Sequence, residues 1–574
     1  MYDLVIRNGT VVDGSGRPSR TADVAISGDR IVTVGEVDDP GLREIGATGL
    51  TVTPGWVDVH THYDGQATWD PEVSPSSWHG VTTVVMGNCG VGFAPVRKGE
   101  REFLIQLMEG VEDIPGAALD EGMTWNWESF PEYLDELERM ARVLDVAALV
   151  PHGALRTYVL GTDRPNDEAT DGEIAEMAAL AREAVMAGAV GVSTTRTLLH
   201  RAKDGELAAG TTAAARELIG IGSALGGTGH RVFSIASDMM DPASEFDWMA
   251  EISRRAEIPV TFQVLAVDFA PHWWRDWIAR ALAANREGAW LVPQVAGKPA
   301  SVLVGFDSTF HPFINNPEYR PYAAMPLAER VEHLQDPAVR ARIIEASTGR
   351  PLAGLEAFMA ANLDKLFPLG DPPDYEPDPS TSIAAVAASE GRAPLEVAYD
   401  MMLRNDGTEL LYLPMLGYVN GSLDDIGEML RHPATVLGLG DGGAHCGVLC
   451  DASLPTFMLT HWARDRSRGD RLSVEEVVNH QTRRSALLYG FEDRGLLEPG
   501  YLADVNVIDM ENLTLLPPKM VYDLPAGGKR LIQDAVGYVA TVKSGVVVRE
   551  NGKATGERPG VLLRGAQAAV ASAA

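Results

Sequence analysis

The spacing of hydrophobic positions differs between the ends of the chain and its middle. At both ends, short runs of β-branched residues are separated by turn dipeptides such as Asn8-Gly9 and Gly28-Asp29, a pattern that predicts β-hairpins. The same pattern returns at 503–509 and 538–549. Because short strands need partners to bury a face, we expect residues 1–52 and 495–562 to build one β-sandwich domain together.

In the middle, residues 53–494, strand-like runs alternate with segments whose apolar residues recur every three or four positions, as in amphipathic helices. Clear helical examples are 130–143 and 172–187. This alternation indicates a parallel sheet with helical crossovers, and eight strands are the number that a closed (β/α)8, TIM-like barrel of the α/β class requires. The eight strand candidates are 56–62, 81–87, 146–152, 189–195, 232–238, 259–265, 289–295 and 435–441.

The stretch between the seventh and eighth strand candidates is too long for a single crossover. Within roughly 300–430, apolar residues at helical spacing predict helices at 327–334 and 337–346. We therefore expect a helical insertion on the active face of the barrel, in the position of a lid. The alanine-rich tail from Ala566 is expected to form a frayed helix.

Composition mainly excludes classes of partner. The 574 residues include 48 Lys and Arg against 80 Asp and Glu, and the net charge of −32 would repel nucleic acid and anionic lipid, which favours a small-molecule substrate. The chain has no apolar run of about 18 residues, and its first residues do not resemble a signal peptide, so we expect a cytoplasmic protein without a membrane span. Large acidic barrels commonly self-associate, which favours a homo-oligomer.

Two histidines mark the end of the first strand candidate. His60 and His62 are two positions apart, so a β-strand would direct both imidazoles to one side, where they could bind a divalent metal. Asp441 ends the eighth candidate, which neighbours the first in a closed barrel. Three protein ligands with an open position for water are typical of a catalytic zinc site. The alternative is a pair of buried, hydrogen-bonded histidines.

Five segments carry a family resemblance: 58–66, 80–95, 150–156, 188–196 and 441–445. With these motifs the chain resembles the amidohydrolase superfamily and, within it, the D-aminoacylase family of N-acyl-D-amino-acid deacylases. The first two segments are the most specific, and the resemblance extends nearly from end to end. It implies a zinc hydrolase that removes the acyl group from a D-amino acid, with Cys89 as an added metal ligand after the second strand.

The chain departs from the family pattern on the fifth and sixth strands. The family places metal-binding histidines there or nearby, whereas these two strand candidates contain none, and Gln263 and Gln294 stand where ligands would be expected. An amide is a poor zinc ligand but a good hydrogen-bond partner for a substrate. We therefore expect one Zn²⁺, or another divalent metal ion, per chain. We expect it to be held by some combination of His60, His62, Cys89 and Asp441.

Further residues receive roles from their positions at strand ends. Asp441 is expected to carry a proton from water to the leaving amine, and His445 is the next candidate for that step. A substrate carboxylate needs a cation, and Arg196 and Lys298 follow strands at the predicted barrel mouth. Three more side chains are expected to contact the substrate: Gln263, Tyr63 and His152.

These features favour a metal-dependent hydrolase of a linear amide, with N-acyl-D-amino acids as the first candidates. The missing histidines leave two alternatives open: a hydrolase of another amide, cyclic amide or ester, and a catalytically inert barrel used for assembly. The cysteines Cys89, Cys446 and Cys450 are too few and too uneven for a disulfide framework, which is typical of a reducing compartment. A zinc site built on His445, Cys446 and Cys450 is a weaker alternative, because that loop has no obvious fourth ligand.

Overall fold

Eight parallel strands form the central sheet of the computed structural model, which describes residues 1–349, 351–352 and 354–568. We label them β1 to β8 in chain order. Their bounds are Trp56–Asp58 (β1), Val81–Met86 (β2), Asp145–Pro151 (β3), Gly191–Arg196 (β4), Val232–Ser237 (β5), Val260–Val264 (β6), Leu291–Ala296 (β7) and Val436–Gly438 (β8). Each strand pairs with the next in this order, which confirms the predicted barrel. Their side chains are almost all buried, because helices cover one face of the sheet and the barrel core the other.

The barrel closes between β1 and β8 through the segments that follow these strands. The backbone N–H of Asp441 donates to the carbonyl oxygen of His60 at 2.9 Å, and that of His62 donates to Gly442 at 2.8 Å. Thr61 and Gly442 form a parallel bridge at the same place. Closure therefore brings the two histidines and Asp441 together, as their positions in the sequence predict.

The first and eighth strands end earlier than the hydrophobic pattern predicts. β1 ends at Asp58 and β8 at Gly438, whereas the predicted strands extend to residues 62 and 441. In the eighth, Leu439 and Asp441 adopt positive φ angles of 59° and 40°, which takes the backbone out of the extended conformation. The ligand candidates thus lie on irregular continuations of the strands.

Helices surround the barrel, and both helices predicted from apolar spacing are confirmed. The prediction at 172–187 corresponds to Asp171–Ala187 and that at 130–143 to the shorter Phe130–Arg139, and each begins with a capping box of a hydroxyl residue and a glutamate. The other helices of this layer are Arg101–Glu112, Gly116–Gly122, His152–Leu160, Ala215–Ser223, Pro242–Ala256, Trp273–Arg286, Asp424–Arg431, Leu454–Phe457, Val474–Asn479 and Ser485–Leu488, with π-helical turns at Met458–Asp465 and His480–Arg484. Short 3-10 turns lie at Gln66–Thr68, Ser76–His79, Asn88–Gly90, Pro379–Thr381, Val419–Gly421, Asp451–Ser453 and Pro525–Gly527.

The two ends of the chain share one nine-stranded sheet. Strand Val505–Ile508 pairs antiparallel with Thr51–Pro54, so that the C-terminal strands continue the N-terminal ones. The remaining strands of this sheet are Tyr2–Val11, Arg20–Ser27, Arg30–Gly35, Gly41–Gly46, Tyr538–Lys543, Val546–Glu550 and Lys553–Ala554. Two small hairpin-like pairs accompany it, Thr514–Leu515 with Ala535–Val536 and Lys519–Leu524 with Gly528–Ile532. The proposed domain limits at 1–52 and 495–562, and the sandwich arrangement, stay predictions.

The insertion between β7 and β8 has a core of its own, which includes Phe306, Phe313 and Tyr399. Its helices are Arg320–Ala323, Leu327–Leu334, Pro337–Ser347, Gly354–Ala361, Ile383–Glu390, Pro394–Met402 and Arg404–Gly407, and the two helices predicted here are among them. It also contains a three-stranded sheet of Ala300–Val304, Leu411–Leu416 and Phe367–Pro368, which the helical pattern did not indicate.

Two expectations concern the chain as a whole. None of the helices among the described residues is long and apolar enough to cross a membrane. Most of the alanine-rich tail, for which a frayed helix is expected, lies outside the described residues.

Candidate metal centre

His60 and His62 lie side by side at the mouth of the barrel, just after β1. Both are about 1% exposed, and their ring centroids are 5.6 Å apart. The backbone N–H of His60 donates to Asp58 Oδ1 at 3.1 Å, and the barrel closure holds the carbonyl of His60 and the N–H of His62. The two imidazoles therefore sit on a backbone that is fixed on both sides.

Cys89 reaches the histidines from a tight turn after β2. Gly87, Cys89 and Gly90 all have positive φ angles, of 83°, 55° and 71°, and the N–H of Gly90 donates to Ser193 Oγ at 3.0 Å. This turn places Cys89 Sγ 3.4 Å from His60 Nε2. Within the part of the chain that the structure describes, His60, His62 and Cys89 form the group of three metal-ligand atoms that lie within 4.8 Å of one another.

Asp441 completes the cluster from the opposite side of the closure. Its Oδ1 atom lies 3.5 Å from His60 Nε2 and 3.7 Å from His62 Nε2. Ligand atoms around one tetrahedral zinc ion are about 3.3–3.8 Å apart, given bond lengths of about 2.0–2.3 Å. The Cys89–His60 distance and the two Asp441–histidine distances fall in this range, whereas Asp441 lies outside the group of ligand atoms within 4.8 Å of one another. The spacing therefore fits a zinc ion bound by three of these side chains, with a position left for water.

Each histidine is oriented by a partner at its other nitrogen. His60 Nδ1 lies 2.8 Å from Gln294 Oε1, and since an amide oxygen only accepts, Nδ1 donates and Nε2 is left free to bind a metal. His62 Nδ1 faces Glu112 Oε1 at 3.4 Å in an ion-pair contact that lacks hydrogen-bond geometry. A hydrogen-bonded partner such as Gln294 fixes the tautomer and ring orientation of a metal-binding histidine, and a facing carboxylate favours its protonated form.

Glu112 is a residue that the sequence pattern did not single out. It ends the helix Arg101–Glu112, is 1% exposed, and its Oε2 atom also lies 3.5 Å from His445 Nε2. The backbone N–H of His445 donates to the carbonyl oxygen of Glu112. Its signal in the sequence is weak, because a glutamate at the C-terminal end of a helix belongs to no motif and opposes the helix dipole.

Burial and neighbouring charges move the pKa values of the cluster in different directions. Burial lowers the pKa of His60 to about 4 and raises that of Cys89 to about 11. Burial also acts to lower the pKa of His62, but the charge of Glu112 and the polar contact with Asp441 outweigh it and raise that pKa well above its ordinary value. For Asp441, burial acts to raise the pKa, but the hydrogen bond from His62 and the charge of His60 lower it overall. A divalent cation among these atoms would favour the deprotonated forms of Cys89 and His62.

A small cavity of about 110 Å³ opens beside the cluster. Gln263 lines it, with Nε2 at 3.4 Å from His60 Nε2 and 3.7 Å from Cys89 Sγ. His445 lines it as well, on a backbone with φ of 53°. So does His200, to which the sequence alone gave no role.

Of the lysines and arginines among the residues that the structure describes, Lys298 alone lines this cavity. Its Nζ atom lies 2.8 Å from Asp451 Oδ1 and 3.9 Å from the centre of the Tyr375 ring. Burial acts to lower the pKa of Lys298, but the charge of Asp451 outweighs it and the pKa is raised. Lys298 is therefore a charged group that already shares its charge with an internal carboxylate.

Three residues predicted to contact the substrate do not line the cavity. Arg196 donates to Glu245 Oε1 at 2.7 Å and to a backbone carbonyl, so its charge is used inside the protein. Tyr63 is buried with its hydroxyl 2.7 Å from Ser76 Oγ. His152 lies between Thr194 and Glu217 at 2.9 and 2.8 Å. Their positions at strand ends predicted that these residues would lie near the barrel mouth. Their side chains instead contact partners inside the protein.

The alternative zinc site on His445, Cys446 and Cys450 gains no geometric support. Among the described residues, no group of three ligand atoms includes these cysteines. Both thiols are buried, and burial raises the pKa of Cys446 to about 12. They are therefore buried thiols of the core around the loop after β8.

Comparison with families of known proteins decides the broader class. A model described as the amidohydrolase family matches residues 43–549 of the 574-residue chain. The chain belongs to the amidohydrolase family. This amidohydrolase is D-aminoacylase-like and is a hydrolase that acts on carbon–nitrogen bonds other than peptide bonds.

Individual relatives of the amidohydrolase are deacylases. It is 28% identical over 571 residues to N-acyl-D-aspartate deacylase of Alcaligenes xylosoxydans xylosoxydans, covering 98% of the chain and 95% of that protein. It is 38% identical over 196 residues to D-aminoacylase of the same organism, a match that spans 34% of the chain and 37% of that enzyme. The crystal structure of N-acyl-D-glutamate deacylase from Bordetella bronchiseptica, complexed with zinc and a phosphonate inhibitor, superposes with a TM-score of 0.63 at 22% identity, over 98% of the chain and 99% of that structure. At this level of sequence identity, the similarity to the deacylase structure shows that the two proteins share a fold.

Proposed function

We propose that the protein is a metal-dependent hydrolase of a linear amide in a small molecule, with one zinc ion held by some combination of His60, His62, Cys89 and Asp441 that leaves a position for water. The observation that carries this proposal is the approach of Cys89 Sγ to His60 at 3.4 Å and of Asp441 Oδ1 to the two histidines at 3.5 and 3.7 Å, at the mouth of a barrel. N-acyl-D-amino acids are the proposed substrates, since the deacylases named above are relatives and one of them is similar over nearly the whole chain.

A bound zinc ion would polarise the scissile carbonyl and lower the pKa of a water molecule towards about 7. The side chains of this chain would then position the substrate and carry protons. Asp441 Oδ1 faces both histidines, so its second oxygen is the acceptor for a proton from water, which Asp441 would pass to the leaving amine. His445, 3.5 Å from Glu112, is the alternative carrier if both oxygens of Asp441 bind the metal.

Two polar groups of the cavity are suited to position an N-acyl amino acid. The amide of Gln263 lies within 3.7 Å of two metal-ligand atoms and can hydrogen-bond the substrate amide beside them. Lys298 is the cation available to the substrate carboxylate, which would share it with Asp451. The cavity of about 110 Å³ limits the substrate to a small acyl group unless the insertion moves.

The test combines metal analysis with a substrate screen. Wild-type protein and the control His333→Ala, an exposed histidine of the insertion, should bind about one equivalent of zinc, whereas His60→Ala should retain less than about half. The zinc-loaded wild type should hydrolyse N-acyl-D-amino acids, and it should lose this activity when a chelator removes the zinc. Zinc binding without turnover of either N-acyl-D- or N-acyl-L-amino acids would contradict the proposed substrate, and equal zinc content in all three proteins would contradict the proposed site.

A further inference from the structure

His200 lines the catalytic cavity, yet the proposed function gives it no task. It lies on the loop after β4, and its ring is hydrogen-bonded to Thr195, whose Oγ1 atom is 2.9 Å from His200 Nδ1. The group of three clustered metal-ligand atoms does not include it. The cavity therefore contains one imidazole beyond those assigned to the metal and to His445.

The backbone of this loop is held on several sides. The N–H of Ala208 donates to the carbonyl oxygen of His200 at 3.0 Å, and Arg201 and Leu207 form an antiparallel bridge. The loop also packs on the helix Arg101–Glu112 at Gly110, where a side-chain carbon would collide with the carbonyl oxygen of Arg201. The loop backbone that carries the His200 imidazole at the cavity wall is therefore held in place by these contacts.

His200 Nδ1 and Thr195 Oγ1 share a hydrogen bond in which either atom can be the donor. Thr195 Oγ1 accepts a hydrogen bond from the backbone N–H of Thr197 at 3.5 Å, and it is 1% exposed. We assign the hydroxyl hydrogen of Thr195 to its hydrogen bond with His200 Nδ1, which leaves the ring hydrogen on Nε2. Burial, with a smaller contribution from the charge of His445, lowers the pKa of His200 to about 3, so the ring is neutral near pH 7.

A neutral imidazole with a fixed N–H has a specific use in amide hydrolysis. Negative charge develops on the substrate carbonyl oxygen as water adds to the carbonyl carbon, and a donor held in place stabilises that charge. Since Nε2 keeps its hydrogen, it cannot bind zinc through that atom or accept a proton there. A fixed N–H donor on the cavity wall adds to the polarisation that a bound zinc ion would supply.

We propose that His200 is a catalytic residue that donates a hydrogen bond from Nε2 to the carbonyl oxygen of the scissile amide. This inference rests on the proposed function of the same cavity. No bond to His200 forms or breaks, and its hydrogen stays on Nε2 throughout the reaction. Thr195 is the positioning residue that maintains this tautomer.

The test measures zinc content, kcat, KM and the Kd of a phosphonate analogue of the tetrahedral state. His200→Phe should keep about one equivalent of zinc but lower kcat by about 10²–10³-fold and weaken the analogue similarly, with little change in KM. His272→Phe, an exposed histidine before the helix Trp273–Arg286, is the matched control and should match wild type. Thr195→Val should lower kcat about tenfold, whereas Thr195→Ser should stay within about twofold of wild type.

The outcomes separate the inference from the function on which it rests. Loss of zinc in His200→Phe would make His200 a metal ligand and overturn the inference, as would unchanged kcat in a folded His200→Phe. If that variant does not fold, an unchanged kcat and analogue affinity in Thr195→Val overturns the inference instead. A zinc-loaded wild type that hydrolyses no amide would overturn the proposed function, and this role of His200 with it.

Discussion

At the scale of single residues, the candidate metal centre depends on how each ligand is held. His60 and His62 each turn Nε2 towards the cluster because the other ring nitrogen faces a partner, Gln294 for His60 and Glu112 for His62. A neutral amide and a carboxylate affect their histidines differently, since a carboxylate also makes the imidazole a stronger base and a stronger ligand. Glu112 is therefore expected to raise the metal affinity of the site by making His62 a stronger ligand.

Glu112→Gln should lower zinc affinity by about 10–100-fold while leaving the protein folded. The loss should be larger at pH 8 than at pH 6. In wild type the raised pKa of His62 lets protons compete with zinc at the lower pH, and the variant has less of this competition. Competition with a chromogenic chelator at both pH values measures the effect. Glu102→Gln, on the exposed face of the same helix, is the control, and an affinity loss of equal size there would contradict the prediction.

At the scale of elements, turns after β1, β2 and β8 carry the candidate ligands. The turn after β2 leaves no room for a side chain at Gly87, which has a φ of 83° and where a side-chain carbon would collide with the carbonyl oxygen of Leu149. Cys89 follows two residues later on the same turn. The position of its sulfur therefore depends on a glycine that contacts the neighbouring strand β3.

Gly87→Ala should displace the turn and reduce zinc affinity at least about tenfold. The positive φ alone should cost about 1–2 kcal/mol of unfolding free energy, so the control must share that cost. Gly99→Ala provides it, because Gly99 has a φ of 92° but open space around the position of a side-chain carbon. Zinc titration and thermal melts should show similar destabilisation by backbone strain but a loss of zinc affinity in Gly87→Ala alone. Full zinc affinity in Gly87→Ala would refute this account of the turn.

Much of this architecture follows from the hydrophobic pattern, and the remainder has physical reasons. Buried strands and amphipathic helices have periodicities that a sequence displays, so the eight barrel strands and the helix at 172–187 were predictable. The small sheet of the insertion was not, since its strands are short and lie far apart in sequence. In the site, strand-end positions indicated His60 and Asp441, but Glu112 and His200 come from a helix end and a loop, where only tertiary packing brings them to the cavity.

At the scale of the whole molecule, a buried group of charges joins the barrel to the terminal sheet. Asp145 at the start of β3 lies 2.6 Å from Arg494 and 2.9 Å from Lys543, which belongs to strand Tyr538–Lys543. Lys543 in turn lies 3.0 Å from Asp504. Because buried charges are costly without partners, removal of one member leaves the others uncompensated.

Asp145→Asn should lower the free energy of unfolding by about 3–5 kcal/mol at neutral pH. Burial acts to raise the pKa of Asp145, but Lys543 and Arg494 outweigh it and hold that pKa below 3.8, the ordinary value. The unfolded chain therefore takes up this proton first on acidification, so the contribution is present above about pH 4 and is lost as the pH falls through the folded-state pKa. Urea denaturation between pH 3 and 7 should show the gap between wild type and variant narrowing below about pH 4. Asp135→Asn, at an exposed ion pair with Arg564, should show no such gap.

The contact at Gly110 links two parts of the candidate active site that the sequence keeps far apart. The helix that ends in Glu112, the partner of His62, and the loop that carries His200 rest on each other there, with no room for a methyl group. A shift of either element is transmitted to the other. Substitutions that alter metal affinity and those that alter stabilisation of the carbonyl oxygen should therefore combine non-additively, and variation on one side of this contact constrains which residues the other side accepts.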